Sequence, residues 1–113
     1  MYWKNDMDTE ITIFTIDLAP ERFQPLFALG ALVATPAALE TLNAHAIKFE
    51  DLLLRHVSGD WGDLESDDQA LNQQAIEDGS RILSCYVLAP EVKVWIITEA
   101  DRSVTTLLLP EEY

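Results

Sequence analysis

Three β-rich runs, joined by connections of only three residues, occupy the last third of this 113-residue chain. The runs are Arg81–Leu88, Val92–Glu99 and Ser103–Leu109, and both connections contain residues that favour turns. Connections this short join antiparallel neighbours, because a parallel partner needs a long crossover. We therefore predict a three-stranded antiparallel meander. Its middle strand is apolar on both alternating faces, which predicts that both faces of the sheet are covered.

The residues before this meander predict further strands and short helices. Alternation and β-branched side chains favour a strand over Glu10–Asp17, and Gly30–Ala34 can form a second, shorter strand. Helices are expected over Pro36–Asn43, Lys48–His56 and Ser66–Asp78. The first of these begins at a Thr-Pro start signal, whereas the third is expected to begin with a capping box and to end at a glycine.

These elements predict a single α+β domain over residues 1–113, in which residues 1–8 are expected to lack order. An N-terminal strand and two to three short helices come first, and a C-terminal three-stranded antiparallel meander follows. Hydrophobic residues make up 49% of the chain, which is enough for a core.

Signals for a compartment or a cofactor are few. The longest nearly apolar run, Leu26–Leu39, is too short to cross a bilayer, and the amino end lacks a signal-peptide pattern. The single cysteine, Cys85, excludes an internal disulfide, and the acidic residues do not follow a calcium-loop pattern. We predict a cytoplasmic protein with no metal, no cofactor and no membrane partner. The sequence leaves the oligomeric state open.

The charge of the chain is strongly negative. Seven Lys and Arg residues stand against twenty Asp and Glu residues, which gives a net charge of -13. Residues 60–78, which we call the acidic segment, contain seven acids and no basic residue. One interpretation is a solvated face that aids solubility, and the other is a surface that meets a basic partner, for example by imitating DNA. Nucleic-acid binders usually carry the opposite charge.

A glycine-rich bend at Arg55–Asp63 brings several chemically active residues together in the sequence. His56 is the best candidate, because histidine titrates near neutral pH and can act as a general acid or base. A structural role is equally open, in which a protonated His56 caps its helix or pairs with Asp60. Ser58 with His56 and Asp60 resembles a hydrolase triad only in composition. Trp61 can stack on a base or pack in the core.

Cationic and hydroxyl side chains lie in or beside the predicted sheet. Two arginines and several hydroxyls can hold a phosphodiester and stabilise charge on its oxygens. The residues concerned are Arg81, Arg102, Thr105 and Thr106, with additional hydroxyls from Tyr86 and Thr98. The alternative is structural, since threonine is a common strand residue and Arg102 can pair with Asp101 or Glu99.

Two resemblances follow from these segments. The chain is similar to small phage- and plasmid-borne proteins labelled plasmid-related. The similarity lies in the run Lys93–Thr106, in the ending Leu109–Tyr113 and, upstream, in Arg55–Gly62 and Gly79–Tyr86. More loosely, the order of a His-x-x-x-Gly-like motif and the run Arg102–Thr106 resembles the barnase–EndoU–colicin–RelE group of ribonuclease toxins.

The second resemblance implies a metal-independent endoribonuclease. His56 would act as general acid or base on the ribose, Arg81 or Arg102 would steady the phosphate, and Thr105 or Thr106 would contact it. Residues of the bend and the sheet would complete the RNA site, namely Ser58, Asp60, Trp61, Tyr86 and Thr98. The competing hypothesis is a non-enzymatic binding protein that belongs to a mobile element. It would be a DNA mimic or anti-defence inhibitor whose acidic segment meets a basic host protein.

Overall fold

The structure is a computed structural model that describes residues 12–14 and 25–113. The predicted lack of order over residues 1–8 lies outside the described residues, as do both ends of the strand predicted over Glu10–Asp17. No helix in the described part has the length and apolar character that a membrane crossing needs.

Three helices and five strands in the described part of the chain confirm the α+β class. From the second strand onward, every boundary lies within one residue of its prediction, because each segment carries its own local signals. In chain order the elements are β1 (Thr12–Phe14), β2 (Ala31–Ala34), α1 (Pro36–Ala44), α2 (Phe49–Val57), α3 (Ser66–Asp78), β3 (Ile82–Ala89), β4 (Val92–Thr98) and β5 (Val104–Leu108), followed by a 3-10 turn over Pro110–Glu112.

The sheet is mixed and has the strand order β1-β2-β5-β4-β3. The predicted antiparallel meander forms from β3 to β5, but β2 pairs in parallel with β5, with Ala31 opposite Val104. The sheet as a whole is therefore not a purely antiparallel meander. The physical reason is the path of the chain, which leaves β2 through three helices, enters the sheet at its far edge and returns through two hairpins. β5 then lies beside β2 and runs in the same direction.

The main core lies between α1, α2 and one face of the sheet, which we call the inner face. Val94 and Ile96 of β4 point into this core, as alternation predicts, while Ile97 is buried on the opposite, outer face. Trp95 on the outer face is only half-buried. Both faces are thus covered, although the outer face is covered incompletely near Trp95.

The ends of the helices follow their sequence signals with one exception. Thr35 caps α1 by accepting a hydrogen bond from the backbone of Ala38 at 3.2 Å. α3 ends at Gly79, which adopts the left-handed conformation (φ +80°) that favours glycine. The predicted capping box is wrong, because Ser66 is already helical and the capping position belongs to Glu65, which makes no side-chain cap.

Candidate functional site

The glycine-rich bend forms as predicted and lies along the edge of β3. Gly62 has a φ of +76°, and its backbone lies so close to Cys85 that an added Cβ would stand 2.0 Å from the Cys85 carbonyl oxygen. Backbone hydrogen bonds from Asp63 to Cys85 (2.6 Å) and from Cys85 to Trp61 (3.0 Å) hold the two segments together. Only glycine fits this approach.

His56 lies in the inner core and has no solvent exposure. Its Nδ1 is 2.6 Å from the Ser84 hydroxyl, and its Nε2 is 2.9 Å from the Thr98 hydroxyl. The edges of Phe27 and Trp61 flank the ring, with centroids 5.2 Å and 6.0 Å away. Both ring nitrogens are therefore fully used by partners inside the protein.

The hydroxyl partners determine which nitrogen of His56 carries the proton. The Thr105 hydroxyl donates its one proton to the Leu29 carbonyl at 2.7 Å, so it must accept from Thr98 in the 2.7 Å contact between them. Thr98 has then used its own proton and must accept from His56 Nε2–H. Nε2 therefore carries a proton, and in the neutral ring Nδ1 accepts the proton of the Ser84 hydroxyl.

The neutral state of His56 agrees with its surroundings. Burial, together with a smaller contribution from the positive charge of Arg102, lowers the pKa of His56 to about 3. The ring neither caps α2 as a cation nor pairs with Asp60, whose carboxylate is bound by Arg55 at 2.7 Å. In this conformation no RNA ribose reaches His56, because the ring has no open side. Its role as general acid or base stays a prediction that this geometry does not favour.

Arg102 is a structural clamp. Its guanidinium donates to the carbonyls of Ala75 (2.9 Å), Ser80 (2.7 Å) and Glu99 (3.2 Å) and lies 5.6 Å from the Phe27 ring centroid. It bonds the backbone of Glu99 rather than its carboxylate, contrary to the ion pair considered above. These bonds fasten the carboxyl end of α3, where a cation is favourable, to the β4–β5 hairpin.

Two of the other candidates, Arg81 and Thr106, do not lie beside His56. Arg81 is exposed, donates to the Tyr113 hydroxyl and has its guanidinium 5.5 Å from that ring centroid. Thr105 and Thr106 are adjacent in β5, so they point to opposite faces. Thr106 is buried, and its hydroxyl has no hydrogen-bond partner among the residues that the structure describes. The two threonines therefore face different sides of the sheet, and contact of Thr105 or Thr106 with a phosphate stays a prediction.

The remaining predicted binding residues have mostly structural positions. Ser58 is exposed at the end of α2. Trp61 is buried and stacks near Phe27, with centroids 6.2 Å apart, so its position is that of a core residue. Tyr86 is buried and donates to the Asp60 carbonyl at 2.7 Å. Of the predicted set, the structure brings Thr98, Thr105 and Trp61 close to His56, and all four residues are buried.

The acidic segment has the opposite character, because all seven of its acids are exposed. These are Asp60, Asp63, Glu65, Asp67, Asp68, Glu77 and Asp78. Within residues 25–113, Asp60 is the one acid of the segment that forms an ion pair. Six exposed carboxylates on α3 and the loop before it thus have no cationic partner in that part of the chain.

Sequence reasoning missed a groove beside this segment. A cavity of about 510 Å³, which we call the α3 groove, lies between α3 and the outer face of β3 and β4. Its lining is Leu64, Asp68, Leu71, Asn72, Arg81, Leu83, Cys85, Lys93, Trp95 and Pro110. The signals were weak, since α3 lacks a clear apolar stripe and buries only Asn72 and Ala75.

The comparisons with known proteins do not indicate a function for this arrangement. Comparisons with protein-family models, with curated proteins and with solved structures found no match. The two resemblances therefore stay predictions. Among the described residues, no three His, Cys, Asp or Glu side chains gather closely enough to hold a metal ion.

Proposed function

We propose that this chain is a non-enzymatic binding protein whose acidic segment meets a basic partner protein. The observation that carries the proposal is the exposure of all seven acids of the segment, six of them without a cationic partner in residues 25–113. Charge of one sign over a continuous surface attracts an oppositely charged partner and orients its approach.

Helix stability alone does not account for this distribution of charge. Asp67 and Asp68 lie in the first turn of α3, where the helix dipole favours negative charge. Glu77 and Asp78 lie in the last turn, which has no basic residue and where the dipole disfavours them. Acids therefore lie at both ends of α3 and no basic residue lies within it, which leaves the helix net negative and complementary to a cation-rich partner.

The chemistry of a basic partner suggests its class. A protein that normally binds DNA or RNA presents Lys and Arg side chains spaced to contact phosphates. Carboxylates on α3 and its preceding loop can occupy those contacts, so the partner would be a nucleic-acid enzyme or a defence complex of the host. The burial of His56 supports this binding role over RNA cleavage, because the imidazole is committed to the core.

The test is a comparison of two variants with the same change in net charge. In the first, four acids of the segment become amides: Asp63→Asn, Glu65→Gln, Asp67→Asn and Asp68→Asn. In the matched control, four exposed acids elsewhere become amides: Glu40→Gln, Glu50→Gln, Glu91→Gln and Glu111→Gln. Each protein is used to capture partners from host extract, and the captured proteins are identified by mass spectrometry.

We expect the wild type and the control variant to retain the same nucleic-acid-binding protein and the segment variant to lose it. Equal loss in both variants would mean that only the overall charge matters. Equal retention would remove the acidic segment from the interface.

A further inference from the structure

The α3 groove has two unlike walls. One wall is α3, which contributes Asp68, Leu71 and Asn72, and the floor is the outer face of the sheet, which contributes Leu83 and Trp95. Asn72 fixes the spacing of the two, because its side-chain amide bonds the Leu83 carbonyl (2.7 Å) and the Leu83 N–H (3.2 Å). The groove is thus a built feature, held open by a buried polar contact.

The interior of the groove leaves apolar surface uncovered. Leu71 is 63% exposed, although it stands beside Leu83 and Trp95, which are themselves only half-buried. Apolar surface gathered in a concave site commonly marks a place where another molecule binds. The volume of about 510 Å³ has room for a few apolar side chains of a partner.

The two cations of the groove do not form an anion site. Ile82 pairs with Thr98 and Val87 pairs with Lys93, so Arg81 and Lys93 stand at opposite ends of the β3–β4 pair. At about 3.3 Å per residue, roughly 16 Å of strand separates these ends. One small anion therefore cannot contact both.

The charge at the rim is net negative. The positive charge of Arg81 acts on the Glu99 carboxyl, and the charges of Lys93 and Asp63 both act on the Cys85 thiol. Each cation therefore has an acid near it. Asp68 lines the groove and Asp67 precedes it in the first turn of α3, and neither has an ion-pair partner within residues 25–113. An apolar floor beside an unbalanced acidic rim is complementary to a segment that is apolar on one side and basic on the other.

We propose that the α3 groove receives the apolar face of a short amphipathic basic helix, whose Lys or Arg side chains meet Asp67 and Asp68 on the rim. About three helical turns match the roughly 16 Å length of the floor. This proposal rests on the proposed function, because the helix belongs to the basic partner. It adds that an apolar anchor, and not charge alone, determines which basic partner binds.

Two synthetic peptides of about 18 residues, long enough to form a helix, test the anchor. One carries Leu along one helical face and Lys elsewhere, and the other replaces each Leu with Gln so that the charge is unchanged. Binding to the full chain is measured by fluorescence anisotropy of the labelled peptides. Perturbation of the Trp95 indole signal in NMR spectra locates the contact.

Two variants of the chain separate the anchor from charge. Leu71→Asp removes the anchor site but adds a negative charge, so pure electrostatics predicts equal or tighter binding of a basic peptide. Leu26→Asp is the matched control, because Leu26 is a 45% exposed leucine that does not line the groove. Both side chains are largely exposed, so both variants are expected to fold, which near-ultraviolet circular dichroism checks.

We expect the Leu-Lys peptide to bind the wild type at least about tenfold more tightly than the Gln-Lys peptide, as burial of one or two leucines implies. We expect Leu71→Asp to remove this preference and Leu26→Asp to keep it. Equal binding of both peptides to the wild type, or an unchanged preference in Leu71→Asp, would overturn the groove proposal while leaving the acidic segment as an electrostatic site.

Failure of the proposed function has a different signature. In that case the amide variant of the acidic segment would bind both peptides as tightly as the wild type does. Sedimentation of the chain tests whether a second copy of it occupies the groove. A dimer that Leu71→Asp converts to monomer would assign the groove to that second copy and overturn the proposal.

Discussion

The buried imidazole of His56 makes the stability of this protein depend on pH in a predictable direction. The pKa of His56 is about 3 in the folded protein and 6.5 for an ordinary histidine. Between these pH values the unfolded chain binds a proton at His56 and the folded chain does not. The contribution of His56 to stability is fully present above about pH 6.5 and is lost as the pH falls from there toward 3. The positive charge of Arg102 acts in the same direction.

The magnitude follows from the separation of the two pKa values. At about pH 5 the unfolded histidine lies roughly 1.5 pH units below its pKa, which corresponds to about 2 kcal/mol of lost stability. Near pH 3 the loss approaches about 5 kcal/mol. A His56→Gln variant lacks this proton and therefore lacks this part of the pH dependence.

Urea unfolding, followed by tryptophan fluorescence at about pH 7.5 and about pH 5, measures the effect. The wild type is expected to lose about 2 kcal/mol more than His56→Gln between these conditions. Protonation of the many carboxylates contributes to both chains and cancels in the difference. His45→Gln, which removes the other imidazole, is the control and is expected to behave like the wild type.

An equal loss of stability in the wild type and in His56→Gln would refute the buried neutral imidazole. If His56→Gln does not fold, nitrogen NMR of the wild-type ring provides the same test. We expect the neutral Nε2–H tautomer at both pH values, and a ring that titrates near 6.5 would contradict the hydrogen-bond chain from Ser84 to Leu29.

Three further predictions concern single residues. Gly62→Ala is expected to destabilise the fold by about 3 kcal/mol or more, whereas Gly79→Ala, with the same sign of φ but open space, should cost about 1 kcal/mol in urea unfolding; equal losses would contradict the close approach to Cys85. Arg102→Met is expected to cost about 2 kcal/mol, and a loss below about 0.5 kcal/mol would show that its three carbonyl bonds do not fasten α3. Purified wild type and His56→Ala should both leave RNA intact, and cleavage by the wild type alone would reopen the nuclease hypothesis.

Local signals in the sequence were sufficient for the secondary structure. The cap at Thr35, the stop at Gly79 and the alternation in β4 each depend on a few neighbouring residues, and each is found in the structure. The capping box failed because Glu65 took the position expected of Ser66. That error changes one helix end and leaves the fold unaffected.

Local sequence signals could not predict which distant segments pair or contact each other. β2 has only four residues, and nothing in Ala31–Ala34 specifies that β5 is its neighbour or that the pairing is parallel. The burial and hydrogen bonding of His56 also depend on distant residues, since its partners Ser84 and Thr98 lie 28 and 42 positions away in the sequence. A histidine on the apolar side of α2 was compatible with either a site or the core, and only the tertiary arrangement decided between them.

One part of the candidate site could have been judged earlier. Adjacent strand residues point to opposite faces, so alternation alone makes Thr105 and Thr106 alternatives for a phosphate contact and not a pair. The α3 groove, in contrast, arises where Leu71 meets Leu83 and Trp95, which come from three separate elements. Its prediction requires the packing of α3 against the sheet, which the weak amphipathicity of that helix does not determine.

The interface itself is tested most directly by crosslinking from defined positions. A photoreactive residue replaces either Gln73, which is exposed on α3, or Glu40, which is exposed on α1, and each variant is irradiated in cell extract. The account predicts that a Lys- and Arg-rich nucleic-acid-binding protein is crosslinked from position 73 and not from position 40. Crosslinking of that protein from position 40 alone, or equally from both positions, would contradict an interface built on α3.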